Sequence, residues 1–143
     1  MGTIEETGKI KSAIKNNSLE NVVFFAGEKR YKELLPYYKT HDVGISYIPM
    51  TTYYDCQPPT KTYEYLLNGM AVVATPTSEN RKVVNQSNGV LLDGDTKQDF
   101  AEGLEKLSKA IRTFESSTIY MNSQQYSWEQ IVKTNLTNIL LRK

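Results

Sequence analysis

Short apolar runs alternate along this chain with stretches where apolar residues recur every three or four positions. The runs cover residues 21–26 (Asn-Val-Val-Phe-Phe-Ala), 43–48, Ala71–Ala74 and 89–93. Each is short, mostly β-branched or aromatic, and closed by Gly, Pro or a polar turn, as a buried strand is. Between them the period is helical. Thr3 and Glu6 form a capping box for a helix to about residue 16, with Ile10, Ala13 and Ile14 inward. Residues 31–39 predict a short helix containing Pro36, which implies a late start or a kink. Residues 78–85 predict another. Thr96 caps a helix to about residue 113, striped by Phe100, Leu104, Leu107, Ile111 and Phe114. Residues 115–125 read as a weakly patterned helix. Ser127 and Gln130 then open a last helix over about 128–142, with Ile131, Val132, Leu136, Ile139 and Leu140 inward.

Strands that alternate with helices predict an α/β fold. The expected form is a three-layer parallel sheet of about four strands with helices on both faces, in one domain over residues 1–143. In such sheets ligands sit at the carboxyl ends of the strands. Residues 27–29, 49–61 and 75–80 all lie there and are expected to share one rim. The loop 51–59 is long, and long loops in compact domains are often functional.

The stretch from Gln57 to Thr75 organises the rest. Pro58 and Pro59 keep the approach extended. Thr60 is expected to cap a short helix, Lys61 and Thr62 to lie in its first turn, and Gly69 to stop it in a left-handed conformation. A helix N-terminus favours an acid, yet this one carries Lys61. An external anion using the free amides and the lysine accounts for that, as phosphate does at other helix N-termini. Lys61, Glu64 and Asn68 share one face, while Tyr63, Leu66 and Leu67 face the core. A carboxylate beside a phosphate site suits a sugar hydroxyl such as a ribose. A plain surface pair of Lys61 and Glu64 explains the spacing equally well.

Composition narrows the choice of chemistry. The net charge is +1, from 17 Lys and Arg against 16 Asp and Glu, and no basic stripe marks a nucleic-acid binder. A single cysteine, Cys56, gives no disulfide framework and fits a reducing compartment such as the cytoplasm. No apolar run approaches the roughly 20 residues of a membrane span. Cys56 lacks neighbours at zinc-ligand spacing, and the scattered aspartates do not form a calcium loop, so no metal is expected. His41 reads more simply as a helix-end residue than as a catalytic base. Asp55 could touch a sugar or cap a turn. Residues 77–80 read as a helix cap.

The segment Pro-Pro-Thr-Lys-Thr-Tyr-Glu-Tyr-Leu-Leu-Asn-Gly-Met-Ala-Val-Val-Ala-Thr resembles the donor-site signature of group 1 (family 4) glycosyltransferases. Val22-Val-Phe-Phe-Ala-Gly27, Asp42-Val-Gly-Ile-Ser46, Asn88-Gly-Val-Leu-Leu92 and Tyr126-Ser-Trp128 are similar in the same order. The resemblance implies two Rossmann-like domains in the GT-B arrangement, the C-terminal one holding a nucleoside diphosphate sugar. It implies a hexosyltransferase of glycan or polysaccharide biosynthesis, acting on a saccharide or lipid-linked acceptor. Glu64 resembles the glutamate that bonds the ribose. Pro59, Thr60, Lys61 and Thr62 resemble the turn that cradles the diphosphate, and Gly27 and Glu28 the loop beside the base. The signature's other glutamate falls at Cys56, with Asp55 one residue off register. The implied partners are the nucleotide-sugar, an acceptor-binding N-terminal domain and, for the intact enzyme, a membrane surface approached peripherally. No resident cofactor is implied.

The chain matches the later two-thirds of the donor-binding domain, lacking two strands and a helix before its first helix, so it reads as a partial domain. Two other readings stay open: a flavodoxin-like interaction module and a sugar-nucleotide epimerase of similar architecture. With two strands of the family's sheet lacking, residues 21–26 are expected to pair directly with 43–48, the intervening helix serving as a right-handed crossover.

Overall fold

The structure, a computed structural model, describes residues 4–136. The backbone divides into two compact units, Met1–Pro36 and Tyr37–Lys143. In the first, α1 (Ile4–Asn16) forms as its sequence predicts. The Asn17 amide group donates to the Ala13 carbonyl at 2.8 Å, and Ser18 turns the chain at φ 54°. The expected capping box at Thr3 and the inward residues Ile139 and Leu140 lie outside the described residues.

The first unit corrects two expectations. Residues 21–26 form no strand: the amides of Val22 and Val23 both turn back to the Leu19 carbonyl, and Val22 and Phe24 are 80% and 85% exposed. The expected pairing with 43–48 is therefore not made. The β-propensity of an apolar run is realised only against a neighbouring strand, and local turns win without one. On α1 the supposed inner face is open, since Ile10 and Ala13 are exposed and Ile14 is half-buried. Phe25 instead lies 5.9 Å from the Lys11 ammonium.

The second unit takes up the chain within α2 (Tyr31–Thr40), which tolerates Pro36. It carries a parallel sheet of three strands, β1 (Val43–Ser46), β2 (Ala71–Ala74) and β3 (Gly89–Leu91), in the order β1-β2-β3. The register sets Gly44 beside Val72 and Val73 beside Val90. The central strand is buried throughout, which explains its uniform small or β-branched composition. Side chains alternate between faces. Val72 and Ala74 join Leu66, Val83, Val84 and Ile119 in the core under α4 (Thr60–Leu67) and α7 (Ser116–Ser123). Val73 faces the other way, toward Leu92 and Gly103 of α6 (Lys97–Ala110). Helices thus cover both faces. Gly44 is required where it sits, because a Cβ there would collide with the Tyr65 ring of α4.

The remaining elements follow their signals. A short α3 (Thr52–Asp55) interrupts the long loop after β1, and α5 (Asn80–Val83) follows β2. Thr96 and Asp99 make a complete capping box at α6. Ser127 caps α8 (Trp128–Ile131) by accepting from the Gln130 amide. The last helix differs from expectation: Trp128 is 81% exposed, and Ile131, Val132 and Leu136 face solvent. Among the described residues, no helix is long and apolar enough to cross a membrane.

Candidate functional site

The start of α4 is unusual in what it lacks. Its N-cap position is Pro59 rather than the expected Thr60, and a proline ring offers no side-chain acceptor. No acid stands in the first turn. The Thr60 amide bonds back to the Pro58 carbonyl at 3.0 Å, and that of Tyr63 reaches Pro59 at 3.3 Å. The amides of Lys61 and Thr62 take no acceptor among the described residues. Such orphan donors, at the positive end of the helix dipole, attract an anion. The Lys61 side chain is exposed and makes no ion pair or hydrogen bond among the described residues. Gly69 ends the helix at φ 76°, as its position predicts.

One turn on, Glu64 is half-buried and accepts a hydrogen bond from the Tyr38 hydroxyl at 3.1 Å on one carboxylate oxygen. Its other oxygen takes no donor among the described residues. Asn68 closes the same face by donating to the Glu64 carbonyl at 2.8 Å. Leu66 is fully buried while Lys61 and Asn68 are exposed, as the spacing predicts, but Tyr63, Glu64 and Leu67 are all half-buried, so the two faces divide only in part.

Beside this turn, at the carboxyl end of β1, lies a cavity of about 260 Å³. Tyr47, Pro49, Tyr54, Gln57, Pro59 and Lys61 are among its lining residues. Its walls are tied to neighbouring strand ends. The Tyr47 hydroxyl donates to the Asp95 carbonyl at 2.6 Å, and the Met50 amide to the Asp95 carboxylate at 2.7 Å. The Ile48 amide donates to the Thr75 hydroxyl at 2.9 Å. A larger cavity of about 430 Å³, lined in part by Asp42, Asn68, Gly69 and Arg112, opens at the opposite ends of the strands. The smaller one is the better candidate. It lies where parallel sheets take ligands, and its lining includes Lys61, whose amide is free.

Asp55 accepts from both the amide and the hydroxyl of Ser78, so it clasps the loop after β1 to the loop after β2. These two bonds, the hydroxyl's first, hold its carboxyl below the ordinary range. Its bonds run to a residue 23 positions away, not to a turn of its own, so the turn-cap reading does not anticipate them. Cys56 is exposed and free beside it. Gly27 and Glu28 lie in the first unit, both exposed, Gly27 at φ 73°. His41 has its Nδ1 2.8 Å from the Tyr37 carbonyl, at the end of α2, as the simpler reading predicts. Among the described residues no group of His, Cys, Asp and Glu is arranged to hold a metal.

Beneath the rim lies a polar cluster that the sequence reading missed. Ser46, Thr62, Thr75, Thr77 and Asn80 are each at most 1% exposed. The Asn80 side chain donates to the Thr75 carbonyl at 3.0 Å, which turns its oxygen toward Thr62 Oγ1, 2.7 Å away. That oxygen can only accept, so Thr62 donates to it and receives the Ser46 hydroxyl, 2.8 Å off. The Asn80 amide donates to Thr77 Oγ1 at 3.2 Å. Thr62, grouped by the sequence with the ligand turn, therefore points its side chain inward. The only hint available was its place four residues before Leu66, on the core-facing side of the helix.

Comparison with known proteins bears on the family and the fold. The family described as Glycosyl transferases group 1 matches residues 1–110. Two solved structures share the fold. One is a sucrose-phosphate synthase from Thermosynechococcus elongatus, 19% identical with a TM-score of 0.69, over 96% of this chain and 34% of that one. The other is the C-terminal domain of a glycosyl transferase group 1 family protein from Francisella tularensis, 17% identical with a TM-score of 0.62, over 87% and 63%. The chain thus spans about a third of the first and under two thirds of the second. No curated protein sequence matches it.

Proposed function

The chain belongs to the group 1 glycosyl transferases, and from that premise we propose that it forms the donor-binding part of a hexosyltransferase using a nucleoside diphosphate sugar. The observation that carries this reading is the first turn of α4. Two unused amides and an unpaired Lys61 adjoin a cavity at the strand ends, with a carboxylate one turn further on. The amides and Lys61 take the diphosphate, and Glu64, through its free oxygen, takes a ribose hydroxyl. The acceptor hydroxyl attacks the anomeric carbon, the bond from that carbon to the diphosphate oxygen breaks, the hydroxyl proton passes to the departing diphosphate, and the remaining charge meets the helix dipole and the lysine. The acceptor, a saccharide or lipid-linked glycan, is held by a separate N-terminal domain. The reading assigns no resident metal or cofactor, and it places the enzyme in the cytoplasm, peripherally at a membrane.

Calorimetric titration with UDP, GDP and ADP and with the matching nucleosides tests this. At least one diphosphate is expected to bind, more tightly than its nucleoside. Failure of all three sinks the reading.

A further inference from the structure

A helix that offers its first amides to a ligand cannot also spend them on a cap. Ordinarily a side-chain oxygen at the N-cap fills those donors and fixes the start of the helix. In α4 the N-cap is a proline without a cap bond, and the first turn has no acid. The helix start must be fixed by something that leaves the Lys61 and Thr62 amides open. The buried cluster beneath the rim does this from the inner side. Thr62, two residues into α4, is gripped by Asn80 Oδ1 at 2.7 Å and Ser46 Oγ at 2.8 Å. Ser46 ends β1, and Asn80 is anchored to the end of β2 through Thr75 and to the following loop through Thr77. The Val84 amide closes the fourth contact, on the Asn80 carbonyl at 2.9 Å. The Asn80 side chain spends its polar atoms inside the protein, and it is fully buried.

We infer that Asn80 is a positioning residue for the diphosphate, setting the placement of the first turn of α4 through Thr62 without touching the ligand. This rests on the donor-site reading of that turn. Preorganised donors act only when aligned, so a small shift of the turn costs affinity at the phosphates and not at the nucleoside.

The test uses the purified chain and two variants, Asn80→Ala and Thr62→Val, the second preserving side-chain volume. Circular dichroism melts establish the temperature at which each is folded, and calorimetry there gives the affinity for the best-bound of UDP, GDP and ADP and for its nucleoside. Both variants are expected to lose about tenfold in diphosphate affinity, the scale of a misaligned constellation, with nucleoside affinity within about twofold of the parent. Equal losses for diphosphate and nucleoside, no loss for either, or failure of both variants to fold would overturn the inference. If only one folds, its affinity ratio decides. A parent that binds no diphosphate defeats the donor-site reading itself, which separates that failure from this one.

Discussion

A cation in the first turn of a helix opposes the dipole, and Lys61 has no local partner to offset it. Lys61→Ala is therefore expected to leave the ligand-free melting temperature unchanged or slightly higher, since the repulsion removed is worth about 0.3–1 kcal/mol. The same change should weaken diphosphate binding more than nucleoside binding. A clear drop in ligand-free melting temperature would give Lys61 a structural role instead. Glu64→Gln keeps an acceptor for the Tyr38 hydroxyl but gives up the charge offered to a ribose, so a loss of about 1–3 kcal/mol in nucleoside diphosphate binding is expected with little loss of stability. Calorimetry that finds equal affinity would remove the ribose role. Asp55 supplies a pH signature. Its folded carboxyl lies below the ordinary 3.8, so the clasp to Ser78 contributes in full above that value and is lost as the pH falls through the lower folded one. Asp55→Asn is expected to lower the melting temperature at neutral pH, with the gap to the parent closing in acid. A gap that stays constant down to the most acid melts would show that the carboxylate is not what holds the clasp.

At the level of elements, most of what positions the site is legible in the sequence, because the signals are local. Gly69 ends α4 with the positive φ that its place after Asn68 requires, and Thr96 caps α6 as predicted, Asp99 completing a box that was not foreseen. The strand at Ala71–Ala74 is short, apolar and bracketed, and it forms at the sheet centre. The buried polar cluster was not legible for the opposite reason. Ser46, Thr62 and Asn80 come from three separate segments, and nothing local distinguishes an asparagine that will meet a threonine 18 positions away from one that caps a turn. The fit of α4 on β1 gives a prediction at this scale. Gly44→Ala drives a methyl into the Tyr65 ring and is expected to destabilise the protein by about 1–3 kcal/mol, the usual cost of overpacking. Thermal melts check it, and an unchanged melting temperature would mean that α4 lifts freely from the strand. In that case diphosphate affinity, rather than stability, should fall.

Across the whole molecule, the sequence announces an α/β fold correctly and overstates its extent. The run at 21–26 has the composition of a strand, but composition cannot supply the neighbour that makes a strand worth forming, and the run ends up largely exposed. Among the described residues the sheet has three strands, with β1 bonded on one side to β2. Because the donor is proposed to be held here and the acceptor by a separate domain, the purified 143 residues are expected to bind nucleoside diphosphate but to transfer no sugar from a radiolabelled donor. Measurable transfer would place the acceptor site within this chain. The exposed indole of Trp128 decides how any of these variants can be followed. As the chain's one tryptophan, and 81% open to water while folded, it already emits like a solvated fluorophore in the native state. Denaturation leaves its surroundings almost as they were, so the emission maximum stays put while the sheet melts. Loss of structure registers in far-ultraviolet ellipticity instead, and a flat fluorescence trace from this protein carries no assurance that it is still folded.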